Sequence, residues 1–105
     1  MKKTENQSKM QKIDYQRNAE VYKLLANPLR LKIIDILKDR DVSLDELSEI
    51  LKIRKPNTSQ HLTILRYLKI VSVRREGQKA IYKIADKRVV ELTKIFQKLW
   101  GSDSF

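Results

Sequence analysis

The sequence predicts a mainly α domain with one small β-hairpin, an α+β class. Three observations predict it. Apolar residues recur at helical spacing in five segments of the 105-residue chain. Over residues 70–84 the period falls from 3.6 to 2 on either side of Gly77. The two prolines, Pro28 and Pro56, each head an apolar-periodic segment, where a missing N–H costs a helix nothing.

The elements follow in order. Residues 8–25 read as a helix, with Ile13, Val21, Leu24 and Leu25 on one stripe and Tyr15 and Tyr22 beside it. Asn27-Pro28 starts the next: the asparagine caps and the proline takes the first helical position. That helix carries Leu29, Ile33, Ile34, Ile36 and Leu37 and should end near Asp39-Arg40. Ser43-Leu44-Asp45-Glu46 is a capping box, in which the serine accepts from the N–H three residues on and the glutamate reaches back. The short helix behind it buries Leu44, Leu47, Ile50 and Leu51. A break over residues 52–55 precedes the helix begun by Pro56, which runs to about Lys69. Two short helices joined by a few residues make a helix-turn-helix.

The β-branched stretch IVSVRR (70–75) then alternates, EGQ (76–78) turns, and KAIYKI (79–84) alternates again. A last helix over residues 86–100 carries Val89, Val90, Leu92, Ile95, Phe96, Leu99 and Trp100. The sum is a winged helix-turn-helix with an extra helix at each end. One domain is expected over residues 8–100, between a disordered tail at 1–7 and a short tail at 101–105.

Composition narrows the function. The 41% hydrophobic share allows a modest core, and no apolar run approaches the roughly 18 residues that a membrane span needs. The basic N-terminus has no apolar stretch behind it, so a cytoplasmic protein without a signal peptide is expected. Absence of cysteine removes disulfides, thiolate metal sites and thiol switches. The Asn6 and Asn57 glycosylation triplets are then chance matches. The net charge is +10, and its placement says more than its size. Residues 54–88 hold ten Lys and Arg against only Glu76 and Asp86. The positive charge is concentrated in the second short helix and the hairpin, which suggests a polyanionic partner.

That helix shows why. On a wheel at 100° per residue, Thr58, His61, Leu62, Leu65 and Leu68 fall on one side. Pro56, Ser59, Gln60, Thr63 and Tyr67 fall on the other, with Asn57 toward one edge. The first side suits a core. The second carries short donors and acceptors near a helix N-terminus. Asn and Gln pair with adenine edges, Ser and Thr with base edges or phosphate, and the helix terminus attracts phosphate. The face fits the major groove of double-stranded DNA. The hairpin tip, RREGQK, adds Arg74, Arg75, Gln78 and Lys79 as a wing that can follow the backbone or enter the minor groove.

The segments LLANPLRLKIIDIL, LDELSEIL and SQHLTILRYLKIVSVRREGQKAIYKI resemble the ArsR family of bacterial winged-helix repressors. The likeness covers residues 24–84, and its most specific parts are L-A-x-P-x-R-L-x-I from Leu25 and S-x-H-L-x-x-L from Ser59. It implies a homodimer joined through the two terminal helices. It implies repression by binding an imperfect palindrome, relieved by an inducer. Lys55, Asn57, Ser59 and Gln60 match positions at which family members contact DNA. Pro56 replaces a residue that is often serine. The soft-metal cysteines of many members fall on Ser43 and Asp45. The last-helix metal site retains Asp86, with Arg88 where a histidine would be needed. By residue inventory neither metal site can be built, and no cofactor is expected.

The expected DNA contacts are therefore Lys55, Asn57, Ser59, Gln60 and Thr63 on the helix, and Arg74, Arg75, Gln78 and Lys79 on the wing. The expected dimer interface is Tyr15, Tyr22, Leu92, Ile95, Phe96, Leu99 and Trp100, because the last helix is apolar over a wider arc than a small core needs. An effector pocket among these aromatics is the lesser reading, and an unidentified small-molecule or protein effector stays open. Arg30 reads as a structural salt-bridge partner, His61 as a packed or capping residue, and Asp39, Asp41, Asp45, Glu46 and Glu49 as solvated helix-end charge. The polar face could alternatively be ordinary surface on a winged-helix protein-interaction module. It lacks the aromatic and apolar anchors that protein interfaces favour. No nucleophile–base pair or glycine-rich phosphate loop supports an enzyme.

Overall fold

The computed structural model describes residues 12–101. The tail expected at 1–7, and all but Gly101 of the one at 101–105, lie outside the described residues. Helix α1 is Tyr15–Leu25. The described part of the helix expected from residue 8 begins later, because the Asp14 carboxylate accepts from the Arg17 N–H at 3.0 Å and caps the chain there. Ile13 thus stays outside the helix.

Helix α2 is Pro28–Leu37, and the Asn27 side chain accepts from the N–H groups of Leu29 and Arg30. It stops two residues short of the expected end. Strand β1, Val42–Ser43, follows, and then helix α3, Leu44–Leu51. Ser43 Oγ accepts from the Glu46 N–H at 3.1 Å, as the capping box requires. The return half is not made: Glu46 pairs with Arg40 at 2.7 Å instead.

Helix α4, Lys55–Tyr67, starts one residue before the expected Pro56. Strands β2, Val71–Glu76, and β3, Lys79–Ile84, form the expected hairpin, and helix α5 is Arg88–Trp100. Glu76 faces Lys79 across a two-residue loop, and Gly77 takes the first loop position at φ 63°. Glycine adopts that conformation without steric cost, as a type II′ hairpin turn needs.

The hairpin is not alone. β1 pairs antiparallel with β3, Val42 opposite Tyr82 and Ser43 opposite Ile81, so the sheet has three strands in the order β1-β3-β2. A two-residue strand is too short to show alternation, which is why the sequence reading missed it.

The core lies between α2, α3, α4 and one face of the sheet. Ile33, Ile34 and Leu37 meet Leu47, Leu51, Leu62 and Leu65, closed by Val42, Ile70, Val71, Tyr82 and Val89. Helix α1 buries none of its residues, and α5 buries only Val89. The inner helices and sheet hold α4 and the wing in place, and the terminal helices keep open faces.

Candidate nucleic-acid interface

Helix α4 is locked to α3 by polar chemistry at the centre of the helix-turn-helix. Thr58 is fully buried and Ser48 nearly so. The Ser48 hydroxyl donates to Thr58 Oγ1 at 2.9 Å, and the Thr58 hydroxyl donates to the Arg54 carbonyl at 3.3 Å. Both buried hydroxyls are thereby satisfied, as burial demands. Helix α3 ends on Lys52 at φ 59°, and α4 is followed by Lys69 at φ 62°. Each lysine holds a left-handed conformation that glycine would adopt more cheaply.

The outer face of α4 divides as the wheel predicts, with one difference. Asn57, Gln60, Thr63 and Tyr67 are exposed, and Ser59 is half-buried. The Thr63 hydroxyl donates to the Ser59 carbonyl at 2.9 Å, so its oxygen remains available as an acceptor on an exposed side chain. No side chain caps the start of α4, so its positive dipole end is open. Two basic residues, Arg54 and Lys55, stand exposed there. Arg54 was not singled out from the sequence, although it adjoins Lys55. Lys55 Nζ lies 2.7 Å from Asp45 Oδ1 of α3.

The wing separates residues that the sequence grouped together. Strand residues alternate between faces, so Arg75 shares the inner face with Val71 and Val73, the face that packs on the helices. Arg74 points to the outer face. There its guanidinium pairs with Asp41 at 2.6 Å and Glu76 at 2.8 Å, tying β2 to the segment before β1. Arg75 reaches the Gln78 carbonyl at 3.4 Å across the turn. Gln78 and Lys79 are exposed at the tip.

Arg30 and His61 form a joint behind this surface. Arg30 Nε donates to His61 Nδ1 at 3.2 Å, and its Nη1 donates to the Leu24 carbonyl of α1. Arg30 is structural, as expected, but its partners are an imidazole and a carbonyl rather than a carboxylate. Burial, and then the nearby Arg30 charge, push the His61 pKa down and favour the neutral imidazole.

The second open surface lies on the terminal helices. Tyr15, Tyr22, Ile95, Phe96, Leu99 and Trp100 are exposed, and Leu92 is half-buried. Phe96 and Trp100 stack with ring centroids 5.3 Å apart. A cleft of about 1090 Å³ runs between α1, α2 and α5, floored by Leu31, Leu92 and Phe96.

The family's metal positions have other partners in this chain. Ser43 caps α3, and Asp45 pairs with Lys55. Asp86 is held by the Arg88 guanidinium and then its backbone N–H, which push its carboxyl down to about 2. Among the described residues, no three His, Asp or Glu side chains converge as a metal site would need. No described helix is long and apolar enough to cross a membrane.

Comparison with known proteins agrees with this geometry. The model of the bacterial regulatory protein arsR family matches residues 27–73. The HTH-type transcriptional regulator Rv0081 of Mycobacterium tuberculosis is 38% identical over 86 residues, spanning 81% of this chain and 75% of that protein. The transcriptional repressor SdpR of Bacillus subtilis is 38% identical over 64 residues, 61% of this chain and 71% of that one. The crystal structure of Rv0081 superposes with a TM-score of 0.76 at 37% identity, covering 81% of this chain and 86% of that one. The solution structure of Mb0332 from Mycobacterium bovis is described as a homodimeric winged helix-turn-helix DNA-binding domain. It superposes with a TM-score of 0.71 at 27% identity, covering 86% of this chain and 88% of that one. With its core, polar helix face and basic wing in that arrangement, the chain belongs to the arsR family of bacterial winged helix-turn-helix transcriptional regulators.

Proposed function

We propose that the protein is a cytoplasmic, non-enzymatic repressor that binds an imperfect palindrome in double-stranded DNA as a homodimer. The observation that carries the reading is the outer face of α4. Asn57, Gln60 and Thr63 stand exposed on a helix pinned by the buried Ser48–Thr58 pair, with an uncapped N-terminus between Arg54 and Lys55. Asn57 and Gln60 read base edges, Ser59 and Thr63 supply shorter contacts, and Lys55 takes phosphate. Arg75, Gln78 and Lys79 carry the wing contact. Arg74 is the weakest candidate of the set, because two carboxylates already hold it.

The dimer reading rests on α1 and α5, whose apolar side chains find too few partners within the chain. Pairing them with a second copy gives two α4 helices related by a two-fold axis, which suits half-sites about 34 Å apart. Sedimentation of the protein with a mixed-sequence 30-bp duplex, over a salt series, tests this. The expected result is two chains per duplex, with log K falling linearly in log salt. One chain per duplex, or no binding at low salt, contradicts it.

A further inference from the structure

Two of the candidate DNA-contacting cations, one on α4 and one on the wing, are held by carboxylates. Lys55 is held at 2.7 Å by Asp45, and Arg74 at 2.6 Å by Asp41. The two acids lie four residues apart, flanking β1 and the start of α3. One short segment therefore reaches both candidate DNA-contacting elements with a carboxylate. Asp45 also serves the first turn of α3, where an acid suits the helix dipole. A first-turn acid does not need a lysine partner on the next helix.

From this geometry we infer that Asp45 sets the strength and salt dependence of DNA binding: it competes with DNA phosphate for Lys55 and so damps the sequence-independent part of binding. The inference rests on the DNA-binding reading above. When Lys55 moves to a phosphate, Asp45 is left beside the DNA without a partner. It must then recruit a cation from solution, which offsets the cation that the DNA releases. Both groups are largely exposed, at 61% for Lys55 and 59% for Asp45, so the exchange needs no unfolding. Asp41 applies the same restraint to Arg74, with Glu76 as a second holder. Base contacts by Asn57 and Gln60 are untouched. The restraint therefore lowers affinity for all duplex sequences alike and sets how strongly binding depends on salt.

The test compares the full-length protein with Asp45→Asn, Asp45→Glu, Lys55→Met and the double variant Asp45→Asn/Lys55→Met. Anisotropy of a labelled random-sequence duplex is followed from low to moderate salt. Circular dichroism checks that each variant is folded. Asp45→Asn should bind random duplex roughly two- to fivefold tighter, the range that an exposed ion pair corresponds to. Its log–log salt slope should steepen by up to about 0.9 per protomer. Asp45→Glu keeps the charge and should retain the wild-type slope. In the Lys55→Met background the Asp45→Asn change should have no effect. Unchanged or weaker binding by folded Asp45→Asn, or a gain that persists without Lys55, overturns the inference. Failure of the wild-type protein to bind any duplex at low salt would instead remove the DNA-binding reading, and the inference with it.

Discussion

Replacing Thr58 by valine probes the joint on which the interface depends. The side chains have nearly the same shape, so the core loses a hydroxyl and gains no cavity. Thr58 is fully buried, and its oxygen both accepts from Ser48 and donates to the Arg54 carbonyl. That carbonyl still accepts from the Asn57 and Thr58 N–H groups after the change. The Ser48 hydroxyl does not fare as well, because it is left buried and unpaired. An orphaned buried donor costs about 1–3 kcal/mol, whereas removing both partners is close to neutral. Thr58→Val should therefore destabilise the protein by about 2 kcal/mol, and adding Ser48→Ala should restore most of it. Urea unfolding followed by circular dichroism at one fixed protein concentration measures this. The midpoint should drop by about 1–2 M for the single variant with an unchanged slope. A loss below about 0.5 kcal/mol, or a double variant no more stable than the single, would refute the claim that this pair closes the helix-turn-helix.

Other substitutions test separate features. Gln60→Ala should cost about 1–3 kcal/mol on the preferred site and little on random duplex, whereas Arg75→Ala should weaken both alike. Competition anisotropy separates the two patterns. Lys69→Gly should stabilise the fold by up to about 1 kcal/mol, because the glycine relieves a left-handed φ of 62°; a lower urea midpoint would contradict this. His61 carries a pH signature. Its pKa is lowered in the fold, so the folded state binds fewer protons than the unfolded chain. Stability should be full above the ordinary value of 6.5 and decline as pH falls from there. His61→Gln should flatten the pH 5–7 portion of a stability curve. An equally steep decline in that variant would assign it to other groups.

Much of this architecture was legible in the chain. Asn27, Ser43 and the two prolines announce helix starts, because capping and a fixed φ are local chemistry. The alternation around Gly77 announces the hairpin for the same reason. The polar face of α4 was legible because Leu62 and Leu65 fix which side is buried. What escaped depends on distant partners. The pairing of Val42 with Tyr82 spans forty residues and leaves no periodicity. Glu46 was read as completing a capping box, but Arg40 competes for it. Arg74 and Arg75 look alike in sequence, and only the pleat of β2, with Asp41 nearby in space, separates their roles. Asp45 read as solvated charge, and its partner across the turn gives it a different meaning.

The central claim is that the outer face of α4 reads base sequence. Selection of genomic duplex fragments by the purified protein, at about 150 mM salt to suppress the general phosphate attraction, tests it directly. Recovery of a single palindromic motif with half-sites one helical turn apart is the predicted result. Recovery of unrelated fragments with no shared motif would contradict it, and would mean that the exposed asparagine, glutamine and threonine contact something other than bases.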